Sequence, residues 1–464
     1  MPVLPNIEAG LPAGWSWRSL RSLTGTYFSG KRPKGGVAGI TEGPLSLGGE
    51  HITWAGGIDL QTPRRIPETF ADSMAGAEIA VDDILVVKDG ATTGKTAFVS
   101  NLPERAFVNE HVFVLRPNED ALPKYLFYWL WSRPGFQQIM LDFRGAAQGG
   151  IGRSFVDKVS VPWAPIETQR RIVARIDELL GAIDDGEEEL RRARQELETY
   201  RKSLLKAAVT GELTAHWRAA NPPRETGEQL LQRILDERRA RWEADPKNKS
   251  KRYKEPATAA ADLSTKLPAG WSWASLGQLA EIVTGATPPS SRPECFGDMA
   301  PFFTPGDLDE PLVTTARRSL SSTGMAAVRP VPAGSILVTC IGATIGKLAM
   351  SSVAGATNQQ INAAVPIVSA LGEWIHTWLR SPFGQHEIVE RASSTTMPIL
   401  NKGDFSRIPI PLPPIEEVAM IATELEKDWS ASRALTEDLV GPAAIAGELR
   451  QSILAAAFRG ELVQ

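Results

Sequence analysis

The sequence predicts an α+β protein in which two tandem-duplicated mixed α/β globules are separated by two long antiparallel coiled-coil helices, a pseudo-two-fold dumbbell. Three observations predict it. The heptapeptide LPAGWSW stands at Leu11 to Trp17 and again, letter for letter, at Leu267 to Trp273. ILVVKDGATTGK from Ile84 returns as ILVTCIGATIGK from Ile336, and SLLKAAVTGEL from Ser203 returns as SILAAAFRGEL from Ser452, in the same order. Within each copy, short strand-like runs give way to a sustained seven-residue hydrophobic repeat, which is a helix signature.

Composition sets the outer limits. Of 464 residues, 42% are hydrophobic and 22% charged, with 40 Gly and 34 Pro. That is a globular composition, with length for two or three cores, and it excludes a disordered chain. Two cysteines, Cys295 and Cys340, with no CxxC, provide neither a disulfide framework nor a cysteine zinc site, and no metal site is expected. The amino terminus lacks the basic and apolar regions of a signal peptide, and no long apolar run follows, so a cytoplasmic protein without a membrane partner is expected. Net charge is −4, so any affinity for nucleic acid must come from local clusters.

Residues 1–164 are expected to form the first globule. Ile84 to Val87, Ala97 to Ser100 and Val112 to Leu115 read as strands between Gly and Pro punctuation, and Tyr125 to Met140 as one helical stretch. Trp15 with Trp17, and Trp271 with Trp273, alternate at strand spacing; they read as core or interdomain anchors, with base stacking as the alternative. A spacer helix is expected within 165–213. Ile176, Ile183, Leu190, Leu197 and Leu204 recur every seven residues, and Ile172, Leu179, Gly186, Ala193, Tyr200 and Ala207 fill the other seam position. Five heptads make a rod of about 60 Å at about 1.5 Å per residue.

An insert at 214–266 separates the copies, with a short amphipathic helix around Glu228 to Trp242 and the basic run KNKSKRYK. The run reads as a solvated linker or as a phosphate contact. Residues 267–414 repeat the first globule and 415–464 the spacer helix. The second seam keeps Ile421, Leu425, Leu435, Leu439, Leu449 and Ile453; Asp428 and Ser432 interrupt it, and Gly441-Pro442 is expected to kink or restart the helix. Each apolar stripe needs a partner, and the other spacer helix is the nearest.

Catalytic patterns fail one by one. GATTGKT at Gly90 to Thr96 lacks the first glycine of a phosphate loop, since Asp89 stands there, and the second copy has Ile341 and Leu348 in the key places. What remains is a strand-loop-strand tip offering Gly amides, Lys88, Thr92, Thr93 and Lys95 in one copy and Thr344 and Lys347 in the other, suited to a phosphate or base edge; an ordinary Gly-rich hairpin is the alternative. Asn221-Pro222-Pro223-Arg224 resembles the tetrapeptide of adenine methyltransferases but lacks its aromatic residue and any cofactor loop. The histidines show no ligand spacing, and His376 reads as a packing or surface residue. No catalytic residue is expected. Further DNA-contact candidates are Lys31, Arg32 and Lys34; Arg64 and Arg65; Arg144 with Gln148 and Arg153; and Arg317, Arg318 and Lys402. Asn358 and Gln359, matching Asn109 and Glu110, suit adenine readout or a buried strand-start hydrogen bond.

The order of GWSW start, GATxGK tip, Asn-led strand start, PIETQRRI helix start at Pro165 and SLLKAAVTGEL helix exit, all duplicated, resembles the specificity subunit of a type I restriction-modification enzyme across essentially the whole chain. The second helix start, Ile415-Glu416-Glu417-Val418, departs from that pattern. The resemblance implies that each globule is a target recognition domain, that the helices are a spacer, and that this chain is non-catalytic and binds no cofactor. It implies as partners double-stranded DNA, two modification subunits and, where the cell supplies them, two restriction subunits. S-adenosylmethionine, Mg2+ and ATP then belong to those partners. Such a subunit directs methylation and cleavage to a bipartite asymmetric target. The rival classes are a non-enzymatic coiled-coil adaptor and an autonomous DNA-modifying enzyme.

Overall fold

A computed structural model of the chain describes residues 10–145, 149–259, 266–289, 291–393 and 398–463. Two compact units emerge: Met1–Arg192 with Leu439–Gln464, and Ala193–Asp438. The two long helices, Ile166–Val209 and Ile415–Phe458, each contribute one stretch to each unit.

In the first unit the strand Ser16–Ser19 pairs antiparallel with Ser160–Trp163, so the beginning and end of the globule are clasped side by side. Between them lies a four-stranded antiparallel sheet in the order Thr24–Ser29, Val112–Pro117, Ile84–Val87, Thr96–Phe98. Successive side chains on a strand face opposite ways, and both faces here are covered, which is why Ile84 to Val87 is apolar without alternation. Ile84 and Val86 join the core of Tyr125, Leu126, Leu130 and Ile139, while Leu85 and Val87 join Leu45, Leu47, Val99 and Val108.

The expected helix over Tyr125 to Met140 is two helices, Pro123–Trp131 and Arg133–Met140. Pro134 fits a helix without cost in its first turn, and Ser132 Oγ accepts from the Gly135 amide at 3.2 Å to cap the new helix. Gly135 is required there, because a Cβ would lie 1.9 Å from the Trp129 carbonyl oxygen. The second unit repeats the device at Ser381 and Gly384.

The second unit clasps Ser272–Ser275 against Pro409–Leu412 and builds the same sheet order, Ala280–Thr284, Ile361–Pro366, Ile336–Thr339, Leu348–Ser351, with Leu312–Val313 added at the edge. A three-stranded sheet around Phe296–Phe303 stands beside it. The insert is more than a linker. Its helix, Gly227–Ala244, is held by a capping box of Thr226 and Gln229, and it buries Leu230 and Ile234 in the same core as Trp271, Leu276 and Ile336. The five basic residues of KNKSKRYK are exposed.

Within each unit the long-helix segments run antiparallel. In the first, Ile172, Ile176 and Leu180 share a core with Leu454, Ala457 and Phe458, and further along Arg450 reaches Asp184 and Glu187 at 2.5 and 2.7 Å. In the second, Leu204, Ala208 and Val209 share a core with Val418, Ile421 and Leu425, while Arg201 reaches Ser432 and Thr436.

The seam differs from the heptad reading at three apolar places. Tyr200 is 48% exposed, Leu435 55% and Leu449 46%, whereas Ser432 is buried under the Arg201 guanidinium and Leu454 is fully buried. An α-helix turns every 3.6 residues, so a fixed seven-residue count drifts by about 20° per heptad away from the true contact line. Nor does Gly441-Pro442 restart the helix, since Ile415–Phe458 is one element.

Candidate nucleic-acid interface

The GATxGK motifs form one and the same hairpin tip in both units. In the first, the Val87 amide donates to Lys95 O at 2.9 Å, the Gly94 amide to Val87 O at 2.8 Å, and the Lys95 amide to Thr92 O at 3.2 Å. In the second, Thr339 donates to Lys347 O at 2.8 Å, Gly346 to Thr339 O at 3.0 Å and Lys347 to Thr344 O at 3.1 Å. Gly90 and Gly94 sit at φ 87°, and Gly342 and Gly346 at 94° and 87°, which explains the glycines. The expected cradle of free Gly amides is therefore corrected: the amides at Thr93, Gly94 and Lys95 are consumed inside the loop, and Thr93, itself buried, donates its hydroxyl to Gly90 O at 2.7 Å.

What the tips present is side chains, and these differ. In the first unit Lys95 Nζ lies 5.6 Å from the ring of Trp54, which is 58% exposed and packs edge-on against Phe136. In the second, Lys347 Nζ is held by Asp309 at 2.6 Å, with Arg317 within 4.0 Å of Asp309. Lys347 keeps the Asp309 carboxyl below its usual range, and Thr304 and the Arg317 amide outweigh burial to do the same at Asp307.

Around the first tip the fold gathers several candidates. The Ile151 amide donates to Lys88 O at 2.7 Å, and Asp89 bridges to Gly150, so the Phe143–Arg144 and Gly150–Ile151 hairpin lies beside Lys88. His111 Nδ1 meets Asp89 at 2.5 Å, His111 Nε2 lies 3.3 Å from Glu110, and Arg32 approaches Glu110 at 3.8 Å. Behind the hairpin, burial works to raise the Asp142 carboxyl, and hydrogen bonds from Lys158, Ser154 and the Gly152 amide outweigh it and hold the group below the ordinary range. Arg144 is exposed, 3.6 Å from Asp142. Lys31, Lys34 and Arg153 are exposed, and Gln148 lies outside the described residues.

Other candidates are engaged elsewhere. Arg65 forks onto Glu104 and donates to Gly43 O, and Arg64 pairs with Glu50 at 3.0 Å. Asn358 is a correction: it is buried, with Oδ1 accepting from the Gln360 amide at 3.1 Å and Nδ2 donating to Gln360 Oε1, and Asn109 likewise accepts from the His111 amide at 2.9 Å. The strand-start reading is the one the structure adopts. Gln359 is exposed and accepts from Thr287, Thr344 is exposed, and Arg318 lies 4.2 Å over the Phe296 ring. Lys402 stands apart, where burial and then Arg329 press its pKa down.

A family pattern described as "Type I restriction modification DNA specificity domain" matches residues 59–192 and 268–431, one stretch in each copy. The chain belongs to that family. Similar proteins are the HindI specificity subunit of Haemophilus influenzae, 27% identical over 79% of this chain and 86% of that protein, and the EcoBI specificity subunit of Escherichia coli, 25% identical over 82% and 74%. Among solved structures, the HsdS subunit of Thermoanaerobacter tengcongensis superposes with a TM-score of 0.53 at 21% identity, covering 97% of this chain and 98% of that one. A chain from a study of complex assembly in the type I R-M system gives 0.64 at 22% identity, covering 97% and 99%. Both share the fold.

In this specificity-family chain, sequence reasoning missed the exposed aromatics beside the first tip, Trp54 and Phe143. The signal available was weak: Trp54 stands just before Gly56-Gly57, in a stretch with no period. It also missed Glu417, a buried carboxylate that accepts from Thr214 at 2.7 Å, Arg218 at 2.5 Å and the Trp271 indole at 2.8 Å. That bond identifies what the second tryptophan pair does: Trp271 anchors the globule to the long helix.

Proposed function

We propose that this chain is the DNA-reading subunit of a type I restriction-modification complex, in which the two tip-bearing globules read the two parts of a bipartite asymmetric target. The single observation that carries this reading is the pair of tips: identical backbone hydrogen bonds carry different side chains, Lys95 beside Trp54 in one and Lys347 tied to Asp309 in the other. Equal scaffolds with unequal surfaces read unequal sequences. Phosphate contacts from Lys31, Lys34, Arg144 and Arg153 position the duplex, and tip side chains and Trp54 supply the discrimination. The complex contains two modification subunits, with restriction subunits completing the nuclease, and S-adenosylmethionine, Mg2+ and ATP bind to those partners in the cytoplasm.

Two measurements test the proposal. Co-expression with the modification subunit should yield genomic methylation of adenine in a two-part motif with an unread gap, and methylation scattered without such a motif would overturn the reading. Lys95→Ala should weaken binding about 10-fold and relax selectivity in one half of the motif, a loss of about 1.4 kcal/mol. Equal loss in both halves would remove the tip from the interface. The pure chain with S-adenosylmethionine alone should transfer no methyl group to DNA.

A further inference from the structure

The two long helices align without a gap from Pro165 and Pro414 to Ser203 and Ser452, so each residue of one has a counterpart in the other. Arg450 in the first unit is neutralised by Asp184 and Glu187. Its counterpart in the second unit is Arg201, and the counterparts of the two acids are Arg433 and Thr436. Among the described residues Arg201 accordingly donates to Ser432 Oγ at 2.7 Å, Thr436 Oγ1 at 2.8 Å and the Ser432 carbonyl. The second unit carries the guanidinium at this position without the two carboxylates that face it in the first.

A second guanidinium stands beside it. Arg380 ends the helix Gly372–Arg380, at the position held by Trp131 in the first copy, and lies 4.9 Å from the Trp429 ring, to which Arg201 lies at 5.9 Å. Among the described residues no carboxylate comes within 4.0 Å of either arginine, and burial and then the charge of Arg201 press the Arg380 pKa down. One turn earlier His376, only 7% exposed, leaves Nε2 buried and without a partner. All four groups line one open cleft of about 1560 Å³ inside the second unit. Its acids, Glu198, Glu310, Glu373 and Glu426, are exposed, and Glu426 is already paired with Arg433.

We propose that this cleft is an oxyanion-binding site, in which a phosphate or carboxylate group is held by Arg201 and Arg380 and can take a hydrogen bond from His376 Nε2. A desolvated guanidinium without a counter-charge is unfavourable, and an oxyanion that supplies two or more acceptors is its natural partner. The oxyanion comes either from a free solute or from an acidic side chain of a bound polypeptide.

The probe is pyrophosphate, titrated calorimetrically into the full chain at fixed ionic strength with chloride as the replaced ion. The expected result is one saturable site, at least 10-fold weaker in Arg380→Gln and in Arg201→Gln, partly restored in Arg380→Lys, and unchanged in Arg459→Gln of the first unit. Circular dichroism identifies any variant that fails to fold, and the other arginine then carries the test. No saturable binding by the parent chain, or binding by both glutamine variants as tight as the parent's, overturns the proposal. A second arm, which alone rests on the proposed assembly, repeats the titration with modification subunits bound. Retained binding identifies a free solute as the occupant; loss of binding, with assembly weakened by Arg380→Gln, identifies a partner carboxylate.

Discussion

Glu417 joins three pieces of chain that are distant in sequence: Thr214 and Arg218 after the first long helix, Trp271 at the start of the second globule, and its own helix, whose first turn it occupies. Removing one side of a buried, hydrogen-bonded charge pair leaves the other unpaired, at about 3 to 5 kcal/mol. Glu417→Ala should therefore destabilise the second unit by about 3 kcal/mol in urea unfolding, whereas Glu416→Ala, on the exposed side of the same turn, should fall within about 0.5 kcal/mol. His376 makes a pH-dependent contribution. Burial, and then the Arg380 charge, depress its pKa to about 3, against about 6.5 for the unfolded residue. Between those values the unfolded chain binds a proton that the folded chain does not, so stability falls as pH drops below about 6.5 and the loss ends below about 3. From pH 7.5 to 5.5 the parent should lose about 1 kcal/mol more than His376→Gln in matched urea melts. Residue roles of this kind were only partly legible in the sequence. Asn109 and Asn358 could be matched by position, yet whether their amides faced DNA or their own strand depended on backbone geometry. Glu417 carried no signal because its three partners come together only through the tertiary fold.

At the scale of elements, the long helices and the duplicated sheet were legible because a 3.6-residue period and repeated ILVV-type runs follow directly from burial. The details that failed were those in which a tertiary neighbour overrides the period. Ser432 is buried because Arg201 reaches over it, and Leu435 is exposed one helical turn away. This separation can be measured. Leu425→Ala removes a buried side chain from the second unit's core and should cost about 2 to 4 kcal/mol, while Leu435→Ala should cost less than about 1 kcal/mol in the same thermal melts. A seam read from heptads alone expects equal losses. The insert helix was legible as a helix from its amphipathic pattern, but its burial was not, because two apolar positions, Leu230 and Ile234, look the same in sequence whether they meet solvent-side neighbours or a core.

At the scale of the molecule, each globule is completed by the exit end of a long helix that does not follow it in sequence. Leu204, Ala208 and Val209, which close the first copy's helix, sit in the core of Trp271 and Leu276, while Leu454, Ala457 and Phe458 sit in the core of Tyr125 and Trp129. The spacer can be lengthened with this in mind: one extra turn of four residues after Ala193, matched by four in the second long helix between Thr436 and Arg450, adds about 6 Å to each helix while leaving the Arg201 and Arg450 contacts intact. Selection of binding sequences from a random pool should return the same two half-motifs with a gap longer by about two base pairs, at about 3.4 Å each. Altered bases in either half-motif, with the gap unchanged, would show that the helices do not set the spacing.

In the first unit, a Cβ on Gly460 would meet Pro12 at 2.7 Å, so the amino-terminal and carboxy-terminal stretches of the described chain touch. A join between these two stretches therefore has little distance to span. A circular permutant that joins Leu462 to Leu11 through a short glycine-serine bridge, and opens instead within the exposed run Lys249 to Arg252, keeps every core described above. It should fold with an unchanged circular dichroism spectrum and bind the same DNA, although its first residue would lie in the insert ahead of the second globule.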